Sequence, residues 1–195
     1  DAQQTELLTI ARHAIQAHVH NSDPPAISTT DPRLCAPGAA FVTLTRAGAL
    51  RGCIGYVQPI LPLAETVAQC AVSAAIEDPR FPPVTASELP TLALEISVLS
   101  DLQPLGDPAD VVVGVHGLHI SEGRRRGLLL PQVATEHRWD RETFLRQTCL
   151  KAGLSPDAWR RGAQIQVFTV QHFSDQRPVE DDPGRRGTPA REGGN

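Results

Sequence analysis

The residues best suited to chemistry lie close together in Leu50-Arg51-Gly52-Cys53-Ile54-Gly55. In an extended strand the side chains alternate, so Arg51, Cys53 and Gly55 point one way while Leu50, Gly52, Ile54 and Tyr56 point the other. An arginine two residues from a cysteine favours the thiolate over the thiol. The pair therefore reads as a nucleophile with an anion-holding neighbour. The alternative is a small buried cysteine and an arginine paired with a carboxylate across the sheet. Gly52 and Gly55 weaken a strand, and their use is to let another backbone or a ligand come close.

Four further residues extend this set. Glu95 sits in the apolar run LALEISVLS, where a buried carboxylate needs a partner such as Arg51 or Arg80, or serves as a general base. His116, between Gly114 and Gly117, reads as a general acid, a metal ligand or a hydrogen-bonded loop residue. Arg80 in Asp78-Pro79-Arg80-Phe81 either holds an anionic substrate or braces the Asp-Pro turn. Gln132 follows a proline after an apolar strand, and its amide is placed to orient a ligand. The candidate catalytic residues are thus Cys53, Glu95 and His116, and the candidate binding residues are Arg51, Gly52, Gly55, Arg80 and Gln132.

The elements that must position them follow from periodicity. Residues 2–20 carry apolar positions at steps of three and four, an amphipathic helix. A Pro- and Ser-rich loop over 21–38 follows. Residues 41–57 form a hairpin turning at Arg46-Ala47-Gly48. An Ala-rich helix over 63–77 packs closely on a sheet through Val67, Cys70, Ala71, Ala74 and Ala75. A strand over 92–100, a second hairpin over 116–130 folded at Glu122-Gly123, a helix over 141–151 stopped by Gly153, and a last strand over 164–173 complete the pattern. Both hairpins carry an Arg-Gly step in their second strand, Arg51-Gly52 and Arg126-Gly127, which suggests an internal duplication with lobes at roughly 39–90 and 92–172. Residues 174–195, rich in Arg, Gly, Pro and Glu, read as a disordered tail.

Composition narrows the function classes. The 195 residues are 41% hydrophobic and 21% charged, with a formal net charge of −4. That balance fits one compact domain and gives no footprint for sequence-independent nucleic-acid binding, which needs clustered basic residues. No apolar run is long enough to span a bilayer. The acidic, amphipathic N-terminus is no signal peptide. The four cysteines, Cys35, Cys53, Cys70 and Cys149, show neither CxxC pairs nor disulfide spacing, which points to reduced thiols in the cytoplasm and no structural metal. Phosphate-cradling glycine loops are absent, so no cofactor is expected. The chain starts at Asp1 and has no Met, which reads as a trimmed chain or one segment of a longer fused polypeptide.

The hexapeptide LRGCIG, followed in order by DPRF (78–81), EISVL (95–99), GVHGL (114–118), LLPQV (129–133) and FL…C.KAGL (144–154), resembles the AMMECR domain family, known in prokaryotes as AmmeMemoRadiSam system protein A. Trp139 and Trp159 also stand where that family places tryptophans. The resemblance covers roughly residues 5–173. It implies an α+β fold of two similar strand-and-helix units sharing one barrel-like, mainly antiparallel sheet. It also implies the company of a Memo-like protein related to extradiol dioxygenases, and of a radical SAM protein. Two functions remain open. One is a partner or subunit with a ligand-binding groove around LRGCIG. The other is a stand-alone enzyme acting on a small anionic substrate through the Cys53 thiolate or through Glu95 and His116.

Overall fold

The computed structural model describes residues 1–175. Helix α1 (Ala2–Val19) starts at a capping box in which the Asp1 carboxylate accepts from the Gln4 amide. The following loop is not wholly irregular, because Asp31 and Pro32 start one helical turn, α2 (Pro32–Cys35). Strands β1 (Ala39–Arg46) and β2 (Ala49–Tyr56) form the expected hairpin, and Ala47 and Gly48 both take positive φ at its turn. Helix α3 (Leu63–Ile76), strand β3 (Leu92–Leu99) and the short β4 (Gln103–Pro104) follow. The second hairpin is β5 (Gly117–Glu122) and β6 (Arg125–Leu129), and helices α4 (Pro131–Glu136) and α5 (Arg141–Lys151) come after it.

The fold is α+β and its strands pair antiparallel. With the last two strands, β7 (Gln164–Phe168) and β8 (Val170–Ser174), they are divided between two four-stranded sheets, ordered β2-β1-β3-β8 and β4-β7-β5-β6, where one shared sheet was expected. The reason lies in the last strand. Residues 164–173 alternate without a Gly or Pro, yet the chain breaks at Thr169 into β7 and β8, one in each sheet. Ser100 fixes the crossing, since its amide donates to the Thr169 carbonyl and its hydroxyl accepts from the Thr169 amide. Two residues expected in the tail, Ser174 and Asp175, are paired. Ser174 pairs with Glu95, and Asp175 accepts from the Leu94 amide and pairs with Arg12. The remainder of the tail, 176–195, lies outside the described residues.

Each sheet buries one face under helices. Val42, Leu44, Leu94 and Ile96 pack against α1 and α3, with the small residues Ala71, Ala74 and Cys70 allowing close approach. Leu118, Ile120 and Ile165 pack against Phe144, Leu145 and Cys149 of α5. A smaller cluster of Ala39, Leu99 and Phe168, flanked by Phe41, Leu128 and Leu130, joins the two sheets. In both hairpins the glycine of the Arg-Gly step meets a helix. A Cβ on Gly52 would lie 2.0 Å from the Ala74 carbonyl oxygen, and one on Gly127 would lie 2.4 Å from the Ala152 nitrogen. Among the described residues no helix is long and apolar enough to cross a membrane.

Candidate functional site

The β1–β2 ladder slips by one residue: Leu44 faces Gly52, but Thr45 faces Leu50. Arg51 is the extra residue of a β-bulge, a feature that re-aims a side chain. The alternation expected to run unbroken from Leu50 to Tyr56 is therefore reset. Leu50 joins the Thr43–Cys53 side, while Gly52, Ile54 and Tyr56 keep to the helix side. The bulge aims Arg51 at Glu88, to which its Nε and Nη2 donate at 2.8 and 3.2 Å. This fork, with both side chains only 12% exposed, holds the Glu88 carboxyl down to about 2. Glu88 also accepts from the Thr85 amide and hydroxyl, which fixes the loop before β3.

A second carboxylate holds the next residue. Asp78, 4% exposed, accepts from the Cys53 amide at 2.9 Å and from Arg80 Nε and Nη2 at 2.9 and 2.6 Å. The Arg80 guanidinium keeps that carboxyl well below the usual carboxylate range. Phe81 lies between the two arginines, its ring centroid 6.0 Å from Arg51 and 5.6 Å from Arg80. Asp78-Pro79-Arg80-Phe81 is thus a clasp on the hexapeptide, and Arg80 braces its own turn. The Cys53 amide and both nearby arginines are tied to buried acids.

This corrects the expected pairings. Arg51 is committed to Glu88 and not to a Cys53 thiolate. Glu95 is half exposed rather than buried, and neither Arg51 nor Arg80 reaches it. Its row on the outer face of the first sheet reads Cys53, Thr43, Glu95, Ser174. The Thr43 hydroxyl donates to Cys53 Sγ at 3.4 Å. Cys53 and Glu95 are two strands apart, about 10 Å, so no direct proton transfer joins them. The imidazole beside Glu95 is His172, 4.0 Å away, with Nδ1 2.8 Å from the Ser97 hydroxyl. His116 instead lies in the loop before β5, and its Nδ1 accepts from the Val112 amide at 3.1 Å. Cys53, Glu95 and His116 therefore do not form a hydrogen-bonded catalytic set.

The space beside the two candidate glycines is filled from within. Gly52 abuts the α3 backbone, and a Cβ on Gly55 would lie 2.2 Å from the Phe41 ring. Gln132 sits in the first turn of α4, away from the hexapeptide in sequence, with its Oε1 buried and without a hydrogen bond. Arg51 Nη1 is likewise buried and unbonded. Among the described residues no three His, Cys, Asp or Glu side chains cluster as a metal site requires.

Sequence reasoning missed Asp78, Glu88, Thr43 and His172. Thr85-Ala86-Ser87-Glu88 has the spacing of a capping box, and Asp78 before Pro79 is a turn residue, so both carried local signals. What they hold, 37 and 25 residues away, carried none. Where β2 ends, the surface turns apolar. Tyr56 and Val57 are each 41% exposed and Ile60 is 74% exposed. They border a shallow cavity shared with Leu61, Thr66 and Gln69.

The AMMECR1 family model matches residues 8–173. A protein of Thermofilum pendens is 42% identical over 90% of the chain and 91% of its own length. One of Thermococcus gammatolerans is 44% identical over 88% and 90%. One of Methanothermobacter thermautotrophicus is 48% identical over 78% and 83%. The crystal structure of the uncharacterised protein PH0010 from Pyrococcus horikoshii superposes with a TM-score of 0.73 at 39% identity, covering 88% of this chain and 91% of that one.

Proposed function

The chain belongs to the AMMECR1 family, and from that premise we propose that it works as a partner subunit in a Memo-like and radical SAM-associated system, docking through the surface that follows LRGCIG. The observation that carries this reading is the exposed apolar group of Tyr56, Val57 and Ile60 at the end of the hexapeptide strand. Large exposed apolar side chains gathered in one place mark an interaction surface. The hexapeptide itself reads as the brace of that surface, since its arginine and its Cys53 amide are held by Glu88 and Asp78. The place we assign to a small ligand is the outer sheet face beside Cys53 and Thr43. We read 39–90 and 92–172 as repeated lobes, supported by the matching contacts of Gly52 and Gly127 with helix backbone. Four unpaired thiols suit the cytoplasm.

The test is a titration of the chain against a Memo-like protein, the proposed partner. Ile60→Asp and Val57→Asp should each weaken binding at least about tenfold, the size of a buried apolar anchor, while Cys53→Ser leaves it unchanged. Equal affinity for all variants, or no binding, would sink the proposal.

The enzyme reading is favoured by one observation, the polar row of Cys53, Thr43 and Glu95 with His172 beside it. On that reading Cys53 alkylates at neutral pH faster than an ordinary thiol and slows in Thr43→Val and Arg80→Ala. A rate like that of free cysteine in the native chain removes it.

A further inference from the structure

A trench between α1 and α3, walled on its far side by Pro24, Pro25 and Ile27, encloses about 840 Å³. That is the size of a small-molecule site. It lies on the helix side of the first sheet, whereas Cys53 lies on the outer side, and it meets the shallow cavity beside Ile60 only at Tyr56 and Gln69. Ile10, Ala14, Ala68 and Val72 form an apolar floor.

Two hydroxyls along it are committed, Thr9 to the Thr5 carbonyl and Ser22 to the Ala17 carbonyl, whereas that of Ser73 is free among the described residues. Ser73 is 8% exposed, and its hydroxyl bonds to no described residue. A hydroxyl on a helix commonly bonds to the carbonyl four residues back. Thr148 of α5 does so, donating to the Phe144 carbonyl at 2.8 Å. Ser73 does not, and it lines the trench.

The charge balance is one-sided. Among the described residues no Lys or Arg lines the cavity, whereas Glu6 and Glu77 do, and neither carboxylate has an ion-pair partner there. Glu77 caps the C-terminus of α3, where the helix dipole is negative and the last turn holds no basic residue. A carboxylate there is electrostatically unfavourable unless a cation joins it. His13 and His18 also line the trench, and neither offsets this charge while neutral.

We propose that this trench binds an organic cation with an apolar body, an amine rather than an acid. The aliphatic body lies on Val72 and Ile10, the ammonium meets Glu77, and the Ser73 hydroxyl takes a hydrogen bond from it.

The test is calorimetry of the full chain with hexylamine, with hexanoate as the acid of matching shape. Saturable binding of one hexylamine per chain is expected, with none of hexanoate. Glu77→Gln should weaken it about tenfold or more, the loss of a charge-assisted hydrogen bond. Val72→Trp should abolish it by filling the floor. Ile60→Asp, outside the trench, should leave it unchanged, so this site and the docking surface fail separately. Circular dichroism confirms that each variant is folded, and Glu77 is exposed enough to change without loss of fold. No saturable amine binding, equal binding of hexanoate, or binding indifferent to both trench variants would overturn the proposal.

Discussion

Glu88→Gln removes one charge and little volume, so it isolates the pairing on which the hexapeptide geometry rests. In the native chain Arg51 and Glu88 are each 12% exposed and joined by two hydrogen bonds. Arg51 Nη1 already lacks a partner. Without the carboxylate a guanidinium stays buried beside a neutral amide, and breaking a buried pair costs about 3–5 kcal/mol. The low end applies, about 3 kcal/mol, because the Gln oxygen still accepts one bond. With a urea slope of about 2 kcal/mol/M, the unfolding midpoint should fall by about 1.5 M.

The pH dependence gives a second, independent signature. Arg51 holds the Glu88 carboxyl down to about 2, below its ordinary 4.5. Its contribution is therefore complete above about pH 4.5 and is lost as pH falls towards 2. Wild type should lose stability through that window more steeply than the Gln variant. Arg46→Ala is the control: Arg46 reaches Glu88 at 3.5 Å from a half-exposed position and should cost under about 1 kcal/mol. A Gln midpoint within about 0.3 M of wild type, with an unchanged acid limb, would refute the idea that this pair fixes the bulge.

Two further outcomes follow from packing. Gly52→Ala drives a Cβ to within 2.0 Å of the Ala74 carbonyl, and should lower stability by about 2–3 kcal/mol in thermal or urea unfolding; Gly48→Ala, with open space around it, tests only the positive φ and should cost less. Alkylation of the native chain at pH 8 should label the exposed Cys35 first. Cys70, pushed up to about 11 by burial, and the fully buried Cys149 should stay unlabelled until the chain unfolds, as peptide mapping by mass spectrometry will read.

The sequence was most legible where one local rule decided the outcome. Helix α5 runs Arg141–Lys151 as its apolar stripe and Gly153 require, with Gly153 at φ 72. The first hairpin turns at Ala47-Gly48, within the expected Arg46-Ala47-Gly48. It was least legible where a distant residue decided. Glu95 reads as buried because its neighbours are apolar on both faces, yet its row meets only Thr43 and the edge strand β8, so the carboxylate faces outward. The bulge at Arg51 has no glycine of its own to announce it; the slip is set by Gly52 pressing on α3 and by Glu88 drawing the guanidinium aside. The division into two sheets turns on Thr169 and Ser100, 69 residues apart and unremarkable in type. His172 falls inside the expected last strand, but its place across from Ser97 depends on a register between strands far apart in sequence.

The most direct measurement of the partner-subunit account is hydrogen–deuterium exchange of the chain with and without a Memo-like protein, the proposed partner. The account predicts slowed exchange over Gly55–Leu61, around the Tyr56, Val57 and Ile60 surface, and little change in the second hairpin, Gly117–Leu129. Protection confined to the second hairpin, or none anywhere at saturating partner, would contradict it.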